Sequence, residues 1–133
     1  MRVVRLVLFL MATSVLALLL CLPAIAQDPA GRKEIKRVDL SGAPGMEVII
    51  STAEFKPGDL IPRHFHHGIE TGMVLQGGML QVPGKDPIAF PTGAPIMILR
   101  DEPHGWKVVG DTTIKLFTVL IVDKGRPLFD EVK

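Results

Sequence analysis

Short hydrophobic runs separated by turn-forming residues follow one another along most of this chain. Eleven prolines and thirteen glycines punctuate runs that are rich in Val, Ile, Thr and Phe, whereas helix signals are scarce. The candidate strands read "MEVIISTAEF", "LIPRHFH", "TGMVLQ", "GMLQVP", "PIMILR", "GWKVV" and "TTIKLFTVLIV". Several short strands joined by turns predict an all-β sandwich or barrel.

The run "TTIKLFTVLIV" is hydrophobic on both faces of the strand that it predicts. Because side chains alternate along a strand, the two faces carry separate apolar rows, namely Ile114, Leu116, Leu120 and Val122 on one side and Phe117, Val119 and Ile121 on the other. A strand buried on both faces needs two covering layers. The core of the domain supplies one layer, and we expect a second subunit to supply the other in a homodimer.

The first 26 residues, "MRVVRLVLFLMATSVLALLLCLPAIA", have the features of a secretory signal. Two arginines precede a long apolar run, and Ala24-Ile25-Ala26 supplies the small residues of a peptidase site. We therefore predict a signal peptide over residues 1–26 and a periplasmic or secreted protein. One alternative is a retained membrane anchor, because the run from Leu6 to Leu22 is near the lower limit for spanning a bilayer. Another is a lipidated Cys21, against which the bulky Leu20 argues.

Cleavage after Ala26 would leave 107 residues, with 13 basic and 14 acidic side chains once Arg2 and Arg5 are removed. This balance gives no electrostatic reason to expect nucleic acid or, after signal cleavage, a membrane surface as a partner. The same part of the chain has no cysteine, which excludes a disulfide framework and a cysteine nucleophile. Residues 27–38 are polar and aperiodic and predict a flexible N-terminal arm, so that residues 39–133 form one domain.

Three of the four histidines lie in the stretch "PGDLIPRHFHHGIETGMVLQG". On a strand, His64 and His66 project from one face, and Phe65 and His67 project from the other. Gly68 allows the chain to turn back, so that Glu70 can face the histidine pair from the next strand. Histidine is the commonest protein metal ligand. The stretch therefore favours a metal site over an ordinary polar turn, with His67 as a surface or supporting residue.

The spacing of this stretch resembles the first motif of the cupin family. The matching residues are Gly58, His64, His66, Glu70 and Gly77, and a partial second motif starts at Gly93 and reaches His104 eleven residues later. The chain has Leu99, Asp101 and Val108 where the family usually has proline, glycine and asparagine. The resemblance covers roughly Glu47 to Val122. It implies a single jelly-roll β-barrel that binds one metal ion through His64, His66, Glu70 and His104.

Three imidazoles and one carboxylate suit a divalent transition metal, whether Fe, Mn, Ni, Cu or Zn. Four protein ligands on an ion that accepts six leave two positions for water, dioxygen or a bidentate substrate. The chain has no tyrosine, so Glu70 is the candidate catalytic base within the predicted ligand set. We expect a metal-dependent oxidoreductase of dioxygenase type that acts on a small molecule. The alternatives are a binding cupin without turnover and a metal-assisted isomerase or lyase.

Other charged and aromatic residues have less specific interpretations. Arg63, Lys85 and Arg100 could each bind a substrate carboxylate, but solvated charges at strand edges are the simpler interpretation. Trp106, the single tryptophan, lies two residues after His104 and is expected either in the core or at the mouth of a pocket.

Overall fold

A computed structural model describes residues 31–132 as ten β-strands. The strands are β1 (Arg32–Asp39), β2 (Met46–Phe55), β3 (Leu60–Phe65), β4 (Gly68–Gln76), β5 (Gly78–Gln81), β6 (Ile88–Phe90), β7 (Pro95–Ile98), β8 (His104–Val108), β9 (Ile114–Asp123) and β10 (Asp130–Glu131). Within these residues there is no helix that is long and apolar enough to cross a membrane. The predicted signal peptide, its cleavage site and the first residues of the predicted arm lie outside the described part.

The strands form two five-stranded antiparallel sheets. One has the order β1-β2-β9-β4-β7, and the other has the order β10-β3-β8-β5-β6. Most neighbouring strands, such as β2 and β9 or β3 and β8, are distant in sequence, as they are in a jelly roll. The predicted all-β jelly-roll fold is therefore confirmed, although hydrogen bonds do not close the two sheets into a continuous barrel. All seven predicted strand segments contain strands.

Strand β1 corrects the prediction of a flexible arm over residues 27–38. From Arg32 onwards, this segment pairs with β2, beginning opposite Ala53, and its register shifts between Glu34 and Lys36. Backbone pairing holds a strand whose side chains are largely polar, and the register shift interrupts its alternation. This charged segment therefore forms an edge strand, although its sequence lacks the pattern that predicts one.

A polar layer crosses the interior of the fold between two apolar clusters. The larger cluster contains Ala53, Phe55, Ile61, Val74, Leu80, Val108, Ile114 and Leu116. The smaller one contains Ile49, Leu120 and Val122, with Leu128 packed against it. Ser51 on β2 and Thr118 on β9 are buried between residues of the two clusters, and the buried side chains of His64, His66 and Glu70 also belong to this polar layer. Along β2 and β9, the inward row thus changes from apolar to polar and back within a few residues.

The outward face of the first sheet is also apolar. Along β9, buried residues alternate with half-buried ones, and Phe117, Val119 and Ile121 form the half-buried outward row. On the neighbouring strands β4 and β7, Met73 is 46% exposed and Met97 is 60% exposed. The two apolar rows predicted for β9 therefore exist, and the described chain leaves the outer row partly uncovered.

Candidate metal centre

The histidines come together because β3 and β8 are neighbours in one sheet. His64 on β3 is paired directly with His104 on β8, and His66 follows His64 on the same face. Each of these histidines has one ring nitrogen that lies within 4.8 Å of a ring nitrogen of each of the other two. All three could therefore hold a single metal ion.

Each of the three imidazoles is oriented by a backbone carbonyl. Nδ1 of His64 donates to the oxygen of Pro62 at 2.8 Å, and Nδ1 of His104 donates to that of Glu102 at 3.0 Å. Nδ1 of His66 donates to the oxygen of Leu128 at 2.6 Å. A carbonyl oxygen can only accept, so the proton of each neutral ring lies on Nδ1 and the lone pair lies on Nε2. This is the arrangement in which histidines bind metals.

Glu70 approaches the histidines from the opposite sheet. Gly68 allows this approach, because a Cβ at that position would lie 2.1 Å from the backbone oxygen of Ile121 on the adjacent strand β9. Oε2 of Glu70 lies 3.2 Å from Nε2 of His66 and 3.8 Å from Nε2 of His104. The structure thus brings together all four residues that the sequence predicted as ligands. Metal binding by this set stays a prediction.

The surroundings of His66 show whether a cation fits between the histidines and Glu70. This side chain is completely buried, and its Nε2 has no hydrogen-bond partner among the described residues. A carboxylate oxygen, Oε2 of Glu70, lies 3.2 Å from this nitrogen and is also an acceptor. Two buried acceptors that face each other need a positive group between them, because an unsatisfied buried polar atom costs roughly 1–3 kcal/mol. The donor set and its geometry therefore fit a bound metal ion.

The protonation states also suit a metal. Burial lowers the pKa of His64 to about 4, and burial lowers the pKa of His104 as well. Burial raises the pKa of Glu70, but the positive charge of Arg32 and its hydrogen bond to Oε1 lower it, and the pKa lies below its usual range. At neutral pH, these groups are two neutral imidazoles and a carboxylate. Metal binding requires those forms.

Arg32 is a site residue that the sequence did not reveal. Its Nη2 donates to Oε1 of Glu70 at 2.7 Å, and its Nη1 donates to Ser51 Oγ at 2.7 Å and to Thr118 Oγ1 at 2.8 Å. Only 7% of its side chain is exposed. The guanidinium occupies one carboxylate oxygen and leaves the other, Oε2, directed at the histidines.

His67 lies outside the cluster, as its strand position predicted. Its Nε2 contacts Asp130 Oδ2 at 2.7 Å and Arg126 Nη2 at 3.0 Å, and its Nδ1 lies 3.5 Å from Asp101. Asp101 stands where the cupin motif usually has glycine, and its φ of 59° is left-handed. Aspartate tolerates this conformation better than most residues do, so the turn before His104 forms without the glycine.

A cavity of about 250 Å³ borders the centre. It is lined by Arg32, His64, Glu70 and His104 together with nine apolar side chains, among them Trp106. Trp106 also packs edge-on against Phe55, so it belongs both to the core and to the cavity wall. Arg63 and Lys85 are exposed, and Arg100 pairs with Asp123 on the surface. None of these three basic residues lines the cavity.

The sequence matches the family described as "Cupin domain" over residues 51–120, which is more than half of the chain. No match was found among curated proteins. Among solved structures, a polyketide cyclase from Streptomyces resistomycificus is 25% identical with a TM-score of 0.54, and the match covers 74% of this chain and 80% of the cyclase.

Two further structures share the fold at lower identity. A conserved protein with a double-stranded β-helix domain from Klebsiella pneumoniae subsp. pneumoniae is 14% identical with a TM-score of 0.54, over 80% of this chain and 89% of that one. Recombinant oxalate oxidase in complex with glycolate is 22% identical with a TM-score of 0.52, over 80% of this chain. This chain spans only 57% of the length of the oxidase.

Proposed function

Because this chain belongs to the cupin domain family, we propose that His64, His66, His104 and Glu70 bind one divalent transition-metal ion in a small-molecule oxidoreductase of dioxygenase type. The observation that carries the proposal is the meeting of unprotonated imidazole nitrogens with a buried carboxylate oxygen. Fe, Mn, Ni, Cu and Zn all suit this donor set. When bound, the ion would supply Lewis-acid chemistry and, for a redox-active metal, electron transfer.

The protein would supply a base, hold the imidazoles in place and exclude water. Because Arg32 occupies Oε1, Oε2 of Glu70 would serve both as ligand and as base, and it would take a substrate proton only after giving up its ligand position. The backbone carbonyls of Pro62, Leu128 and Glu102 would keep the imidazoles in one orientation. The two apolar clusters on either side of the polar layer would exclude water from the reacting groups.

Oxygen uptake tests the oxidoreductase proposal. The protein would be loaded separately with Fe, Mn, Ni or Cu and screened against small oxygenated compounds, with products identified by mass spectrometry. We expect uptake coupled to oxygen incorporation for one metal and one chemical class. Metal-loaded protein that binds compounds tightly but forms no product would instead make it a binding cupin.

A metal-assisted isomerase or lyase is the second candidate. The observation that favours it is the likeness, at 25% identity, to a protein described as a polyketide cyclase, whose name denotes ring formation. The same four residues would serve this chemistry, with Glu70 as the base. Turnover without oxygen consumption, at equal rates in air and under nitrogen, would identify this class.

We also propose that the protein is exported and dimeric. The signal features of residues 1–26 support export to the periplasm or beyond the cell, with a mature chain that starts at Gln27. The partly uncovered row of Phe117, Val119 and Ile121 supports a symmetric homodimer through the outer face of the first sheet. N-terminal sequencing of the exported fraction tests the first proposal, and a start at Met1 in membranes would contradict it.

A further inference from the structure

The inward rows of two strands divide the cavity into a polar end and an apolar end. On β8, His104 is followed two residues later by Trp106 on the same face. On β9, Leu116 lines the cavity, whereas Thr118, one inward step further along, does not line it but accepts a hydrogen bond from Arg32, which does. The change from polar to apolar therefore occurs within one inward step on strands that belong to opposite sheets. The candidate metal ligands occupy one end of the cavity only.

The rest of the wall offers a ligand almost no polar contact. Nine of the thirteen lining residues are apolar, including Phe55, Ile61, Leu80, Phe90, Trp106 and Leu116. Arg32 and Glu70 are paired with each other, so the polar end has little unmatched charge. A polar substituent placed against the apolar wall would lose its hydration without gaining a hydrogen bond, which is costly.

The size of the cavity limits the ligand further. Its volume is about 250 Å³. An apolar cavity of roughly 150 Å³ accommodates benzene, so this one has room for a single substituted ring. Aromatic rings also pack well against the edges and faces of Phe55, Phe90 and Trp106.

We infer that the cavity binds a one-ring aromatic molecule with its oxygen donors confined to one edge, directed at His64, His104 and Glu70. This inference rests on the proposed metal site, because the metal would be the partner of the donor edge. A two-carbon dianion such as oxalate would leave the apolar wall without contacts. A ring with a second charged group opposite the donor edge would bury that charge against Phe55 or Leu116.

Calorimetry on nickel-loaded protein under nitrogen separates these ligand classes. The probes are catechol, 3,4-dihydroxybenzoate and oxalate, of which the second differs from catechol by one far-side carboxylate. We expect catechol to bind at least about tenfold more tightly than either of the others. Catechol should also change the fluorescence of Trp106, the single tryptophan of the chain. Equal or tighter binding of oxalate or 3,4-dihydroxybenzoate would overturn the inference.

A matched pair of substitutions locates the binding. Ile96 lines the cavity from edge strand β7, whereas Ile88, on edge strand β6, is 54% exposed and lies outside the cavity lining. Ile96→Thr adds a hydroxyl to the wall and should weaken catechol binding about three- to tenfold, with metal content unchanged. Ile88→Thr should leave the affinity unchanged. Equal effects of the two substitutions would place the ligand elsewhere.

The metal-free protein distinguishes failure of this inference from failure of the proposed function. Toluene has the size of the expected ring and needs no metal, and its binding can be followed by Trp106 fluorescence. If the protein takes up no metal but binds toluene, the missing metal uptake would contradict the proposed metal site. The toluene binding would still support the aromatic preference of the cavity. A protein that takes up metal but binds neither toluene nor catechol would retain the metal site and overturn this inference.

Discussion

Arg32 Nη2 lies 2.7 Å from Glu70 Oε1. This contact connects strand β1 to the carboxylate that faces the three histidines. Both side chains are only 7% exposed. A buried carboxylate that has lost its cationic partner is unstable, so this contact makes β1 part of the site rather than a peripheral edge.

Replacement of Arg32 by methionine tests this role. Arg32→Met removes the cation and leaves Glu70 buried with uncompensated charge, so metal-free protein should lose about 3–5 kcal/mol of unfolding free energy. Bound metal would replace part of the missing charge, so the loss should be smaller in metal-loaded protein. Urea denaturation measures both values.

Lys33→Met is the control for this substitution, because Lys33 is the next residue on the same strand and is exposed. It should change stability by no more than about 0.5 kcal/mol. Equal losses in Arg32→Met and Lys33→Met would show that the contact with Glu70 contributes nothing.

Glu70→Gln separates metal binding from proton transfer. Glutamine keeps the size and one oxygen of the side chain but removes the charge and the candidate base. We expect metal to remain bound at saturating concentration, while turnover falls by roughly 10²–10⁴-fold. Metal content and the rate are measured on the same sample. Unchanged turnover would exclude Glu70 as the base and leave it only a ligand.

The stability of the metal-free protein should fall on acidification. The ordinary pKa of histidine is about 6.5, and burial lowers that of His64 to about 4 in the folded state. Between these pH values the unfolded chain binds a proton at His64 that the folded chain does not bind. The contribution of His64 to the free energy of unfolding is therefore complete above pH 6.5 and is lost as the pH falls towards 4. The pKa of Glu70 is also lowered, which adds a further loss below about pH 4.5.

Chemical denaturation of the chelator-treated protein at pH 7, 6 and 5 measures this dependence. The His64→Gln variant lacks the titrating ring, and its stability should fall less steeply between pH 6.5 and 5. Parallel curves for the two proteins would show that His64 does not supply the dependence.

The proposed dimer is tested on the outer row of β9. Val119→Glu places a charge at the centre of the partly uncovered face, and we expect it to convert a dimer into a monomer. Ile88→Glu is the control, because Ile88 is exposed on the other sheet. Light scattering at micromolar concentration gives both masses. A wild-type monomer under these conditions would contradict the dimer directly.

The sequence predicted the parts of the molecule that depend on local pattern. The period of two in residues 114–122 predicted both apolar rows of β9, and the spacing of His64, His66 and Glu70 predicted their convergence. His104 was located through the resemblance of the second motif, even though Asp101 replaces a glycine there.

What the sequence did not reveal depends on distant partners. Arg32 donates hydrogen bonds to Ser51 and to Thr118, which is 86 residues away in the sequence. Nothing in the charged segment around Arg32 indicates either contact. Strands β6 and β10 have three and two residues, which is too short for a recognisable period. The apolar end of the cavity follows from the register between strands such as β3 and β8, which a single sequence does not contain.

Metal analysis of the wild type and of four alanine variants tests the central claim most directly. The protein would be purified from its native compartment, and its metal content would be measured by mass spectrometry before and after reconstitution. We predict one divalent metal ion per chain. His64→Ala, His66→Ala and His104→Ala should each lose most of it, because each removes one ligand and misaligns the others, whereas His67→Ala should retain it. No stoichiometric metal in the reconstituted wild type, or equal loss from His66→Ala and His67→Ala, would contradict the proposed centre.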